Sequence, residues 1–125
     1  MKWALSQLIR YGSQPFYFDT VYDFKKRIEN IDDILGIDLV KVKGFGKNVG
    51  ENRFLFEFTI QTEMILEDAV TLDPIPFPID LVVEEYFDTT DDGQANLIVG
   101  NTIELDDLVW EIVYLEKPIR VTKQI

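Results

Sequence analysis

The stretch Arg53-Phe54-Leu55-Phe56-Glu57-Phe58-Thr59-Ile60-Gln61 decides the fold class. Large apolar residues occupy every second position. A period of two is that of a β-strand with one face on a core and the other toward water. Phe54, Phe56, Phe58 and Ile60 are therefore predicted to be buried, and Arg53, Leu55, Glu57, Thr59 and Gln61 to share the opposite face. Upstream, residues 37–46 (IDLVKVKGFG) alternate in the same way, with Leu39, Lys41 and Lys43 on one face and Val40 and Val42 on the other. Residues 47–52 contain Asn48 and Gly50, a turn composition. The two segments read as an antiparallel hairpin. Gly44, Gly46 and Gly50 lack the Gly-Lys-Ser/Thr ending and the helix of a phosphate-cradling loop, so they are assigned to the hairpin turn.

Outward from this hairpin, residues 3–11 read as a short helix burying Trp3, Leu8 and Tyr11. Pro15 then forces extended chain, and Phe16 and Phe18 alternate with Tyr17 and Asp19. Asp23 is placed as the N-cap of a helix whose Phe24, Ile28, Ile31 and Leu35 share one face, with Gly36 as its stop. Lys25, Lys26 and Arg27 at the start of that helix, and Asp32 and Asp33 at its end, oppose the macrodipole, which singles out the basic cluster. Residues 64–70 can continue as strand. Pro74, Pro76 and Pro78 exclude a central ladder and mark a bend or an edge. Ile79, Leu81, Val83, Glu85 and Phe87 alternate again, and residues 88–96 (DTTDDGQAN) form a polar loop. Residues 97–99 suggest a short strand. Asp106 or Asp107 is the expected cap of a helix bearing Leu108, Val109, Ile112 and Leu115, which ends before Pro118. Ile119 and Val121 suggest a last strand. The sum is an α+β protein: an antiparallel sheet with two or three short helices, in a single domain over residues 1–125.

Composition narrows the chemistry. The chain has 125 residues, 46% of them hydrophobic, with nine Phe, five Tyr and two Trp, enough for a core. It has no Cys and no His, which removes disulfides, most transition-metal sites and the commonest general base near neutral pH. The first residues, MKWALSQLIRYG, have no signal-peptide core, and no apolar run approaches the ~20 residues of a membrane span. A cytoplasmic location is expected.

The net charge of −11 is unevenly placed. Residues 1–53 carry nine Lys/Arg and seven Asp/Glu, whereas residues 54–116 carry sixteen Asp/Glu and no base. An acidic protein is repelled by nucleic acid overall, yet a local basic patch can still bind it. Lys41, Lys43, Lys47 and Arg53 gather on the hairpin, beside Phe45, and with Lys25, Lys26 and Arg27 form the candidate nucleic-acid-binding set. Asp80, Glu84, Glu85, Asp88, Asp91 and Asp92 form the candidate protein-binding surface. Each has an ordinary alternative as a solvated face. Asp88, Thr90, Asp92 and Gly93 imitate the start of a calcium loop, but Val99 stands where the bidentate Glu belongs. No nucleophile with a base partner and no distinctive carboxylate pair is evident. No enzyme activity, cofactor or metal is expected.

The whole chain resembles the YceD family, the large ribosomal RNA subunit accumulation proteins, and its Gram-positive branch in particular. The resemblance is carried by MKW-LSQL followed by QPFYFD, and by Val40-Lys41-Val42-Lys43-Gly44. It continues through Thr71-Leu72-Asp73, Phe77-Pro78-Ile79-Asp80 and the acidic loop from Glu85 to Asp92. Ile103-Glu104-Leu105, Glu111-Ile112-Val113 and Glu116-Lys117-Pro118 complete it. Asp68 and Val70 depart from the pattern, standing where the family commonly has Cys and Arg. The resemblance implies a part in the synthesis, processing or accumulation of large-subunit (23S) ribosomal RNA.

Three functions are open at this point. One is a non-enzymatic ribosome-assembly factor that contacts precursor RNA through the basic residues. The second is an acidic adaptor for a basic ribosomal protein. The third is a hydrolase of unknown type. The acidic and basic residues are expected on separate surfaces.

Overall fold

The computed structural model describes residues 1–118. Its centre is β5 (Phe54–Glu67), which pairs along its whole length with β6 (Pro74–Asp88), Phe54 opposite Phe87 and Glu67 opposite Pro74. On the other side of β5 lie two shorter strands end to end, β3 (Ile34–Ile37) and β4 (Val40–Asn48). Ile37 faces Met64 and Lys41 faces Gln61, so three residues on one side span two on the other. That extra residue is a β-bulge at Asp38–Leu39, held by the Asp38 N–H on the Glu63 carbonyl at 2.9 Å. β2 (Phe16–Tyr22) pairs with β4 and forms one edge. β7 (Asn96–Leu97) adds to the far end of β6 and makes the sheet's parallel pair. The α+β class expected from the alternation is the class observed, with a mainly antiparallel sheet and, among the described residues, two α-helices, one of them long.

The strand phase of β5 holds throughout. Phe54, Phe56, Phe58, Ile60, Met64 and Leu66 are all buried. They form an inner face with Val40 and Val42 of β4 and Phe16, Phe18 and Tyr22 of β2. That face is covered by β1 (Lys2–Ala4) paired with β8 (Thr102–Glu104), by α1 (Leu5–Ile9) and by α2 (Asp106–Glu116). Trp3 lies with its ring centroid 5.2 Å from both Phe18 and Phe56. Val109 and Val113 of α2 complete the core. No helix among the described residues is long and apolar enough to cross a membrane.

Several expectations give way. Residues 3–11 are not one helix: Trp3 is in β1, and Tyr11 is exposed, with its ring 5.3 Å from that of Phe16. The helix from Asp23 to Leu35 shrinks to a single 3₁₀ turn at Lys25–Ile28. Its β-branched isoleucines and its Asn30, Asp32 and Asp33 favour strand and turn over helix, and pairing with β5 captures Ile34–Ile37. Ile34 is buried and Leu35 exposed, the reverse of the helical phase, and Gly36 sits in a strand. Without a long helix the macrodipole argument about Lys25, Lys26 and Arg27 lapses. In α2 the N-cap position is Leu105, without a side-chain cap bond, and Leu115 is exposed while Val113 is buried. The strand expected at Ile119 and Val121 lies outside the described residues.

Gly44 and Gly46 are strand residues, not turn residues. A Cβ on Gly44 would lie 2.1 Å from the Glu57 carbonyl oxygen and 2.5 Å from the Phe58 Cα. One on Gly46 would meet the Phe16 ring at 2.4 Å. The two glycines let the aromatic layer press onto the β4 backbone. Only Gly50 serves the turn, its N–H donating to Asn48 Oδ1 at 3.0 Å.

Candidate functional site

The outer face of the sheet has no covering element among the described residues. Strand phase fixes what it displays. β2 contributes Tyr17, Asp19 and Val21, and β4 contributes Lys41, Lys43, Phe45 and Lys47. β5 contributes Leu55, Glu57, Thr59 and Gln61, and β6 contributes Asp80, Val82, Glu84 and Tyr86. The register sets the cross-strand neighbours: Tyr17–Phe45–Glu57–Glu84 form one row, and Val21–Lys41–Gln61–Asp80 another. The Tyr17 and Phe45 rings lie 6.1 Å apart, and Tyr17 is 77% exposed. Lysines stand at alternate positions of β4 on either side of Phe45. None of the three takes part in an ion pair among the described residues.

The candidate basic set is not one surface. Arg53 is committed elsewhere: its Nη1 donates to Asp88 Oδ2 at 3.1 Å and to Asp92 Oδ2 at 2.9 Å, and its guanidinium lies over the Tyr86 ring at 5.1 Å. The two carboxylates raise the Arg53 pKa. Arg27 pairs with Asp107 at 2.8 Å and covers the Phe24 ring. Lys25 and Lys26 are exposed on the 3₁₀ turn, on a different element from the β4 lysines. Bases and acids are thus interleaved at Arg53 and Arg27, contrary to the expected separation. Lys41, Lys43 and Lys47 remain together.

The acidic set divides as well. Glu85 is on the inner face, where its Oε2 accepts from the Asn96 side-chain amide at 3.1 Å. Asp88 and Asp92 hold Arg53, and their other oxygens accept backbone N–H groups of Thr90, Gln94 and Ala95. Asp92 is held below the usual carboxylate range, first by the Gln94 N–H and then by Arg53. Asp91 accepts from the Gly93 N–H at 3.2 Å. Residues 88–95 are therefore a run of Asx turns latched by Arg53. Asp80 and Glu84 stand exposed on β6, in no ion pair among the described residues. Glu57 directly opposes Glu84. Tyr17 and Val82, 76% exposed, were not singled out by sequence; the phase of their strands places both outward.

The chain is 30% identical over 126 residues to the uncharacterized protein YlbN of Bacillus subtilis (strain 168), covering 97% of this chain and 73% of that protein. The chain belongs to the YlbN family. No family model matches the sequence. No solved structure matches it.

In this member of the YlbN family Asp68 has a clear structural task. It is 2% exposed at the end of β5, and its Oδ1 accepts the N–H groups of Val70 and Thr71 at 2.7 and 2.9 Å. Its backbone N–H donates to the Asp73 carbonyl at 2.8 Å. It builds the turn into β6, in which Leu72 adopts a φ of 64°. Val70 is 69% exposed on the same turn.

Proposed function

We propose that this protein is a non-catalytic bacterial cytoplasmic factor supporting the synthesis, processing or accumulation of large-subunit (23S) ribosomal RNA. It does so by holding single-stranded precursor RNA on the outer face of β2 and β4. The observation carrying the proposal is the row of Lys41, Lys43 and Lys47 beside the exposed Tyr17 and the half-buried Phe45. Alternate strand residues repeat every ~7 Å, a comb of charge that a sugar–phosphate backbone can track. Bases stack on exposed rings at ~1–3 kcal/mol each, without sequence preference. Glu57, Asp80 and Glu84 repel phosphate from the other half of the face, which confines the strand to β2 and β4. The YceD resemblance supplies the ribosomal context.

The test is fluorescence anisotropy with a labelled unstructured RNA across a salt series. Three phosphate contacts predict a log–log slope of about −2. Replacing Lys41, Lys43 and Lys47 by Glu abolishes binding, Tyr17→Ala weakens it ~5-fold or more, and Arg53→Gln changes it little. Salt-independent binding, or binding indifferent to the three lysines, would reject the proposal.

A second reading, an adaptor for a basic ribosomal protein, is favoured by a separate observation. Glu57, Asp80 and Glu84 form an acidic strip on β5 and β6 that no base among the described residues neutralises.

A further inference from the structure

β6 has a free edge of defined length. Its even-numbered residues direct their main-chain groups away from β5. Pro74, Pro76 and Pro78 lie within the β5–β6 ladder yet have no N–H to give it, so their nitrogens must face outward. At the other end the carbonyls of Tyr86 and Asp88 reach the β7 side, accepting from the Asn96 amide at 2.9 Å and the Ile98 N–H at 2.8 Å. Between these two closed stretches, the N–H and C=O groups of Asp80, Val82 and Glu84 face the same edge. They have no partner strand among the described residues.

We infer that this window accepts an extended segment of a basic protein as an added strand, with cations opposite Asp80 and Glu84 and an apolar residue opposite Val82. The inference rests on the second reading above and supplies its docking geometry. An open edge binds another chain through main-chain hydrogen bonds, and alternate side chains set the specificity. Here the alternate side chains are an acid, an exposed valine and an acid on one face. Cross-strand neighbours of opposite charge stabilise and like charges oppose. A second copy of this chain is disfavoured by that rule. Antiparallel self-pairing centred on Val82 sets Asp80 against Glu84, and parallel self-pairing sets each acid against itself. The matching partner reads cation–x–apolar–x–cation. Prolines protect the adjoining stretch from indiscriminate pairing, so the opening has both a length and a sign.

The experiment uses the full chain and a short labelled peptide with the core Lys-Thr-Val-Thr-Lys, beside a control with Glu for both Lys, read by anisotropy. The Lys peptide is expected to bind, the Glu peptide not to bind, and the doubly substituted Asp80→Lys, Glu84→Lys chain to reverse the preference. The decisive variant is Val82→Pro. It removes an outward N–H at the same parity as the three native prolines, so the β5–β6 ladder survives and thermal unfolding should move little. It should weaken the Lys peptide about tenfold, the scale of a lost main-chain hydrogen bond. Amide exchange at Val82 and Glu84 should slow on adding the peptide.

Equal binding of both peptides, or a Val82→Pro chain that binds normally, overturns the inference. So does a dimer broken by Val82→Pro, or displacement of the peptide by single-stranded RNA lacking any contact with Lys41, Lys43 and Lys47. If a basic ribosomal protein binds the wild-type and Val82→Pro chains equally, the adaptor reading stands and strand addition falls. If the Lys peptide binds as described and no ribosomal protein does, the edge stands and the adaptor reading falls.

Discussion

The two faces of β5 carry residues from one run of sequence and obey different rules. On the inner face, Phe54, Phe56, Phe58 and Ile60 are each almost fully buried, and Phe56 at their centre meets rings from three other elements, β1, β2 and β6. On the outer face, Leu55, Glu57, Thr59 and Gln61 meet neighbours chosen by register alone. The inner face answers to volume and the outer face to charge. Volume effects in a close-packed interior are worth several kcal/mol, whereas charges in water are worth about 1 kcal/mol or less. The stabilising and the recognising halves of the strand are therefore separable by substitution.

Phe56→Ala gives the largest break. The ring contacts Trp3, Phe16, Phe18 and Phe87 at centroid distances of 5.1–6.0 Å. Denaturant unfolding should show a loss of ~3–5 kcal/mol. Thr59→Ala, one face over, should change stability by no more than about 0.5 kcal/mol.

Gly44→Ala and Gly46→Ala sharpen the comparison within the inner face. At Gly44 the added carbon meets backbone, the Glu57 carbonyl and the Phe58 Cα, so β4 and β5 must separate. At Gly46 it meets ring carbons of Phe16 and Phe56, which can turn. Overpacking costs typically ~1–3 kcal/mol. Gly44→Ala should reach the upper end and Gly46→Ala the lower, in the same unfolding measurement. An inverted order would show that the rings are more rigid than the strand pairing.

How much of this was legible follows from the same division. The period of two in residues 53–61 reveals burial because burial depends on one residue at a time. It reveals nothing of Arg53, whose partners Asp88 and Asp92 lie 35 and 39 residues away and meet it only through the β5–β6 register. Lys41 and Lys43 were assigned to a shared face correctly, since both belong to one strand. Glu84 and Glu85 were grouped although alternation alone sends them to opposite faces. The helix read into residues 24–35 failed because its spacing of apolar residues also suits a turn followed by a strand, and long-range pairing with β5 decided between them. The outward position of Tyr17 follows from the phase of Phe16 and Phe18 in the same strand.

Asp68→Ala tests the chain reversal that leads from β5 into β6. It leaves the Val70 and Thr71 N–H groups without their carboxylate, at a cost of ~1–3 kcal/mol. Asp68→Asn keeps an acceptor oxygen and should retain about half of that, by thermal or denaturant unfolding. Equal losses for both variants would assign the effect to charge rather than to the turn bonds.

The smallest effect is also the one of opposite sign. Glu57 faces Glu84 directly across β5 and β6, with the aromatic Phe45 on its other side. Like charges directly opposite on a strand pair destabilise by roughly 0.2–1 kcal/mol. Thr suits an exposed strand position, so Glu57→Thr should stabilise the protein by an amount in that range. The gain should shrink as salt rises, because screening already weakens the repulsion in the parent chain. An unchanged gain at high salt would assign it to strand propensity. A loss of stability would mean that Glu57 supports the fold through a contact other than its carboxylate charge. The same substitution should leave the Lys peptide's affinity for β6 within about twofold, since Asp80 and Glu84, rather than Glu57, flank the open edge. A change in stability without a change in peptide binding would separate the two roles on neighbouring strands. It would also show that the fold carries an electrostatic cost at a surface where that cost has no structural return.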